Sequence, residues 1–324
     1  MKWVKLGLGG LTAVGLAACE TDEGEEAEEF PTGNIEIIVP YEEGGGTDLV
    51  ARAFADLLEE ELGESVSVTN QEGGGGAVGM QTGAESEADG HTLTLATVEL
   101  LTLPHTDLAD LDYEEDFETV AMLNEDPAAI TVPEDSDYET IEDFIEAAQD
   151  GEDIQIGNSG TGAIWHLAAS ALEEEIDASF DHVPYDGASP AVNDLLGGHI
   201  DAVAVSPAEV STQVEGGDLR VLGVMGEEPE DHLPDVPTFE EIGIDLSIGT
   251  WRGIAAPADT PDEVIDTLNE AAETVAESEE FQDQLDELDL SYRYEDTDGF
   301  QDHLDEQDEF FEELIPEIDI EEEE

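Results

Sequence analysis

The sequence predicts an α/β protein of two doubly wound domains with a ligand cleft between them, and three observations carry that prediction. A strand, a glycine-rich loop, a helix and a second strand follow one another within residues 34–69, and the same order returns after residue 150. Two short apolar segments ending in proline, 122–133 and 250–257, read as connections between domains. At 324 residues the chain has room for two cores of ordinary size.

Taken in order, residues 34–39 (NIEIIV) are β-branched and stop at Pro40, which marks a strand. The loop that follows holds Tyr41, Glu42, Glu43, Gly44, Gly45, Gly46, Thr47 and Asp48. Val50, Ala53, Phe54, Leu57 and Leu58 then trace one helical face, with Thr47 or Asp48 available as N-cap and Gly63 as the stop. Residues 65–69 make the second strand of a βαβ unit, which requires parallel strands and a right-handed crossover. A second glycine loop, 73–76, precedes a short helix and the strand 92–97, which ends at Thr97.

In the second half, residues 154–157 form a strand, Asn158-Ser159-Gly160-Thr161-Gly162 a loop, and Ile164, Leu167, Ala168, Ala171 and Leu172 one helical face. Strand 179–183 leads to Tyr185 and Asp186, then to a helix that stops at Gly197-Gly198. Strand 200–205 (IDAVAV) ends at Ser206-Pro207. Residues 262–313 read as helical and acidic, with Val264, Leu268, Ala271 and Val275 facing inward on the outside of a domain. Two crossings make the second domain an insertion: 34–123 and 251–324 form the first, 124–250 the second. The carboxyl ends of both sheets then surround one cleft, where open α/β sheets bind ligands.

Composition excludes several functions. There are 88 Asp plus Glu against 6 Lys plus Arg, a formal charge of −82. Nucleic acid is excluded, because binding its phosphates needs clustered cations. With 39% hydrophobic residues the chain is nevertheless globular rather than disordered. Acids spread over every segment repel one another unless salt screens them, and the Debye length falls to about 3 Å at molar salt, so the surface reads as that of a halophile. The single cysteine rules out an internal disulfide and a thiolate zinc site.

That cysteine closes a leader. Residues 1–19 (MKWVKLGLGGLTAVGLAAC) order a basic start, a short apolar stretch and a small-residue end, as in a secretory signal too short to span a membrane. The tetrapeptide ending at Cys19 resembles a lipobox, which makes Cys19 the lipidated first residue of the mature protein. Residues 20–33 begin ETDEGEEAEE, a solvated acidic tether. The protein is thus expected outside the cytoplasmic membrane, at the cell surface or in a periplasm, on a lipid anchor.

The segments IEIIVPYEEGGGTDLVAR (35–52), NQEGGGGAVGM (70–80), DGHTLTLAT (89–97), GNSGTGAIWHLA (157–168), HVPYDGASPAVNDLLGGHIDA (182–202), LPDVPTFEEIG (233–243) and WRGIAAPADTP (251–261) together resemble the solute-binding proteins of tripartite tricarboxylate transporters, the Bug or TctC family. The resemblance covers about residues 34–313 in the family's order. It implies a periplasmic binding fold of type II that closes on a small organic carboxylate, with membrane permease subunits as partners. Two departures stand out. Arg252 replaces the apolar residue that often follows the tryptophan, and Glu42-Glu43 occupy positions where small or apolar residues are usual.

An anion bound by so acidic a chain needs local positive potential, which backbone N–H groups at helix starts supply without basic side chains. The resemblance implies that the loops Gly44–Asp48 and Ser159–Gly162 hold the carboxylate, partly through ordered waters, with hydroxyls of Thr47, Ser159 and Thr161 as added donors. Tyr41, Thr97, Tyr185, Asp186 and Ser206 are further candidates at strand ends. Asp48 reads as an N-cap or as an orienter of the loop or of a ligand amine. His166 lies off the apolar stripe, as a ligand contact or a solvated histidine. Arg252 is either a ligand contact or half of an internal salt bridge.

Enzyme motifs are missing. Residues 157–161 lack the second glycine of a G-x-S-x-G elbow, 73–76 lack a following Lys-Ser or Lys-Thr, and the histidines lack H-E-x-x-H spacing. No catalytic residue, cofactor or metal is therefore expected. The expected function is a monomeric, lipid-anchored receptor that delivers a carboxylate to its transporter; the alternatives are a carboxylate sensor signalling to a membrane kinase and an extracellular hydrolase acting through Ser159.

Overall fold

The computed structural model describes residues 30–318 except 107, 186, 228 and 231. The leader, Cys19, residues 20–29 of the tether and Asp186 lie outside the described residues. In chain order the elements are β1 (Ile35–Val39), α1 (Gly46–Leu62), β2 (Val66–Asn70), α2 (Ala77–Ala84), β3 (Thr92–Thr97), α3 (Glu99–His105), α4 (Tyr113–Asp116), β4 (Phe117–Pro133) and α5 (Ile141–Gln149). The second half continues with β5 (Gln155–Asn158), α6 (Ile164–Ile176), β6 (Asp181–Pro184), α7 (Ala188–Leu196), β7 (Ala202–Val205), α8 (Ser211–Gly216) and β8 (Leu219–Met225). Last come β9 (Gly249–Pro257), α9 (Asp262–Ala276), α10 (Glu279–Glu287), β10 (Tyr292–Glu295) and α11 (Thr297–Leu314).

The strands join in the order β2-β1-β3-β9-β4-β7-β5-β6, with β8 and β10 also paired to β4. β1 runs parallel to β2 and β3, as a βαβ unit requires, and β5 runs parallel to β6 and β7. β4 is the element both halves share: its first part pairs with β9 and β10, its last with β7 and β8. The expected short connection 122–133 is thus the end of a 17-residue strand. Register shifts at 119/121, 122/124 and 130/131 bend it between the two sheet halves.

The buried apolar side chains fall into two clusters. Ile35, Ile37, Val39, Phe54, Leu58, Leu268 and Phe281 bury against one another in the first half. Phe144, Leu167, Leu172, Val203 and Phe239 do so in the second, in a cluster that continues into the first half through Met80, Leu101, Phe117, Trp251 and Phe300. Each such side chain contributes about 1.5–3 kcal/mol on burial. Val264, Leu268, Ala271 and Val275 face inward on α9 as their spacing predicts. The stretch 262–313 is not continuous helix, however. Asp289 turns the chain in the left-handed region, and the aromatic alternation Tyr292–Tyr294 forms β10 against β4. No described helix is long and apolar enough to cross a membrane.

Candidate functional site

The strand registers locate the site. Thr97, the last residue of β3, pairs with Arg252 of β9, which pairs with Asn124 of β4. Val205, the last residue of β7, pairs with Ala129 of β4. β3 runs parallel to β4 and β7 antiparallel, so the two sets of carboxyl ends point at each other. Five residue steps along β4 separate them, about 17 Å at the rise of an extended strand. The floor of this gap is the run from Asn124 to Ala129.

On the first side, β1 delivers the loop that opens α1. Helix α1 begins at Gly46 with Gly45 as its N-cap and no side-chain cap, so neither Thr47 nor Asp48 plays the expected capping part. Asp48 sits in the first turn instead, 1% exposed. Its Oδ2 accepts from the N–H of Gly44 at 2.8 Å and from Arg52 Nε at 2.9 Å, and its Oδ1 accepts from Asn70 Nδ2 at 2.8 Å. Burial works to raise its pKa, but these hydrogen bonds outweigh burial and hold the carboxyl below its ordinary value. Asp48 therefore ties the glycine loop to α1 and β2.

Tyr41 is fastened the other way. Its hydroxyl lies 2.9 Å from Thr97 Oγ1 and donates to Glu99 Oε2 at 2.7 Å, which also accepts from Thr97 Oγ1 at 2.6 Å. Burial, with the Glu99 charge second, pushes the Tyr41 pKa well up, so the hydroxyl keeps its proton. Gly76 has φ +105°, and a Cβ there would lie 3.0 Å from the Tyr41 hydroxyl. The second glycine loop thus closes over the first, and a cavity of about 420 Å³ opens between them, lined by Tyr41, Gly45, Gly46, Thr47, Gly73 and Gly76.

Arg252 is 8% exposed and joins this loop to the floor. Its Nε donates to Thr47 Oγ1 at 3.2 Å, and its Nη1 donates to Asn124 Oδ1 at 3.1 Å and to Asp126 Oδ2 at 2.6 Å. Its Nη2 runs beside Gly46, 3.7 Å from where a Cβ would stand. The internal salt bridge is therefore real. Asn124 and Asp126, which hold Arg252, are candidates that the sequence reading did not include; the polar interruption Asn124-Glu125-Asp126 within an apolar run is the signal that could have found them.

On the second side, β5 delivers the loop that opens α6, whose N-cap is Ala163. Asn158 Oδ1 accepts from the N–H of Gly160 at 3.0 Å, and His166 Nδ1 accepts from the N–H of Gly162 at 3.0 Å. His166 is 7% exposed, which overturns the solvated alternative. The apolar stripe shows only one face of α6, whereas Trp165, His166, Leu167, Ala168 and Ala169 are all buried. Burial, then the neighbouring His182 at a ring separation of 4.8 Å, lowers the His166 pKa to about 4, so its ring is neutral. Tyr185 follows β6; its hydroxyl donates to Asp194 Oδ2 at 2.8 Å, and its N–H bonds the Asn158 carbonyl at 3.2 Å.

Ser206 ends β7 and shares a capping box with Glu209, whose Oε2 accepts from the Ser206 N–H at 3.2 Å. Glu209 is exposed beside the end of β7. The protein packed on one side of its carboxyl pushes the pKa up to about 7; the Ser206 N–H opposes this, the Asp126 charge adds to it and Arg252 opposes it. Tyr41, Gly44–Asp48, Thr97 and Arg252 thus form one connected group; Ser159–Gly162, His166 and Tyr185 form another. Among the described residues no hydrogen bond joins the two loops.

The family model described as the tripartite tricarboxylate transporter family receptor, TctC, matches residues 50–320. The chain is similar to protein BugT of Bordetella pertussis, 31% identical over 249 residues that make up 75% of this chain and 76% of that protein. It is similar to the crystal structure of a TctC solute binding protein from Polaromonas, without ligand, at 39% identity and TM-score 0.84, covering 89% of this chain and 100% of that one. A protein of R. palustris solved with adipate shares the fold, with TM-score 0.73 at 24% identity over 88% of this chain and 97% of that one. The two-domain α/β architecture of periplasmic binding proteins therefore holds for this chain. A family match over residues 50–320, reinforced by these relatives, means that the chain belongs to the tripartite tricarboxylate transporter receptor family, a family of solute-binding receptors and not of enzymes.

Proposed function

We propose that this protein captures a small organic carboxylate outside the cytoplasmic membrane and hands it to the permease subunits of a tripartite tricarboxylate transporter. The observation that carries the reading is the pair of opposed carboxyl edges across Asn124–Ala129, each bearing a glycine loop at the start of a helix. Arg252 is a cation at this floor, and Asp126 offsets its charge. The ligand's negative charge is then met by N–H groups of the loops 44–48 and 159–162, by Thr47, Ser159 and Thr161 hydroxyls, and by Arg252 Nη2. Tyr41, Thr97, His166, Tyr185, Asp186 and Ser206 complete the proposed site. The adipate bound by the R. palustris protein supports a ligand of this class.

In this reading the lobes are 34–123 with 251–324 and the inserted 124–250, and β4 and β9 are the strands that bend when they close. Closure is driven by contacts that only the closed form makes with the ligand. Cys19 carries the lipid, and residues 20–29 hold the monomeric receptor off the membrane, the expected tether being shortened because Phe30 and Thr32 rest on His91 of the first half; the family assignment favours transport over sensing.

The test is a thermal-shift screen in about 3 M KCl, where charge is fully screened, against succinate, malate, adipate, citrate and their neutral amides. A carboxylate that binds only the folded state raises Tm by mass action. A rise with one acid and none with its amide supports the reading. Shifts with sugars or peptides but with no acid overturn it.

A further inference from the structure

We propose that His166 is a positioning residue, one that turns the second glycine loop so that its outward amides face the ligand. The inference rests on the carboxylate reading above and deepens it by naming what sets the donor geometry of the site.

The loop between β5 and α6 has its N–H groups sorted in two directions. Those of Gly160 and Gly162 turn back into the protein, onto Asn158 Oδ1 and His166 Nδ1, each at 3.0 Å. Among the described residues no protein acceptor takes the N–H of Ser159 or Thr161. Gly160 and Gly162 have φ of +126° and +78°, and those positive angles let alternate peptides flip. A Cβ on Gly160 would meet the Tyr185 carbonyl at 3.2 Å, so the turned conformation is also packed in place.

His166 is the third residue of α6 and reaches back over its own N-terminus to the residue before the N-cap. Helix-start side chains that accept backbone N–H groups normally do so from the N-cap position, to satisfy the helix itself. Here the acceptor serves the loop and leaves the first amides of the helix unclaimed by any side-chain cap. Accepting from Gly162 also requires Nδ1 to be unprotonated, which places the proton of the neutral ring on Nε2. The ring is held by its edge contact with His182, which in turn lies 3.0 Å from Glu173 Oε2. A buried imidazole packed against His182 and bonded to Gly162 holds one tautomer and one orientation, and through them the direction of the Gly162 peptide.

Asparagine and leucine separate this role from mere packing. The amide oxygen introduced by His166→Asn would stand near the place of the imidazole Nδ1, so this variant keeps an acceptor for Gly162, whereas His166→Leu keeps bulk and removes the acceptor. Two measurements are made on the full chain in high salt. Without ligand, imidazole ¹⁵N shifts report the tautomer, and hydrogen exchange reports protection of the Gly162 amide. With ligand, titration of succinate, malate, adipate and citrate gives Kd. The expected result is an Nε2–H tautomer, a Gly162 amide protected in wild type and His166→Asn but not in His166→Leu, and a loss of affinity of about tenfold confined to His166→Leu. An Nδ1–H tautomer, or wild-type affinity in a folded His166→Leu, overturns the inference. If wild type binds none of the four acids, the carboxylate reading fails for them; the ligand-free measurements then still decide whether His166 holds Gly162.

Discussion

Arg252 and Asp126 face each other across the β4–β9 pair, with Nη1 2.6 Å from Oδ2 and both side chains nearly excluded from water. The guanidinium also donates to Thr47 at the start of α1, and the carboxylate accepts at Oδ1 from the N–H of Ser291 beside β10 at 3.1 Å. One ion pair thus ties the first glycine loop to the strand that bridges both lobes. Removing one partner leaves a buried charge uncompensated. Arg252→Met is expected to destabilise the fold by about 3–5 kcal/mol, read as a lower denaturant midpoint. The double variant Arg252→Met with Asp126→Asn should recover much of that loss. Equal destabilisation of the single and double variants would show that packing, not charge, is what Arg252 contributes.

Glu230 supplies a pH dependence of opposite sense to ordinary acid denaturation. It is 8% exposed, and Ser291 Oγ donates to it. Burial pushes its pKa up to about 7; the Ser291 hydrogen bond opposes this and the Asp126 charge adds to it. Between that value and the ordinary one near 4.5, the folded state holds a proton that the unfolded state has released. Stability is therefore expected to rise as pH falls from 8 to 5, by up to about 3 kcal/mol from this group. Glu230→Gln mimics the protonated form and should flatten that segment of the profile while stabilising the protein at pH 8. A profile unchanged by the substitution would refute the assignment.

How much of this is legible in the sequence depends on where the deciding contacts lie. β1 and β3 announce themselves because β-branched runs end at Pro40 and at Thr97, and both glycine loops stand out from local composition alone. Strand β10 does not, because its aromatic alternation is only four residues long and lies between acidic helices. The floor is hidden for another reason. Asn124 and Asp126 acquire meaning only when strand register sets Asn124 opposite Arg252 and Asp126 two positions along, opposite Thr250, a pairing made by residues more than 120 positions away. His166 escapes the sequence pattern because an apolar stripe reports the nearest packing surface, and α6 is covered on more than one side. Asp48 shows a similar limit: a short acid before a helix looks like a cap until Arg52, Gly44 and Asn70 claim its oxygens.

A net charge of −82 gives the fold a strong dependence on ionic strength. Raising KCl from about 0.1 M to about 1 M shortens the Debye length from about 10 Å to about 3 Å, which removes repulsion between surface acids more than one side chain apart. Tm is expected to climb steeply over that range and to level off above it. Calorimetric scans at constant pH would reveal this, and a flat Tm would mean that the acids contribute little net repulsion.

Two glycines separate the stability of the frame from the geometry of the site. Gly63 follows α1 with φ +73°, and nothing lies within 4 Å of where its Cβ would be. Gly63→Ala meets only the backbone penalty of the left-handed region, about 1 kcal/mol, far from the cleft. Gly160 has φ +126° and a Tyr185 carbonyl 3.2 Å from its would-be Cβ, so Gly160→Ala must turn the peptide that presents Ser159 and Thr161 or displace the end of β6. The expected outcome is a divergence: both variants melt somewhat lower, Gly63→Ala binds the carboxylate as wild type does, and Gly160→Ala loses about tenfold or more in affinity, the equivalent of one or two donors turned away. Titration calorimetry on both variants at matched fractions folded makes the comparison. If affinity falls equally in both, the loss comes from general loosening of the fold; if it falls in neither, the amides of the β5–α6 loop are not the groups that hold the ligand.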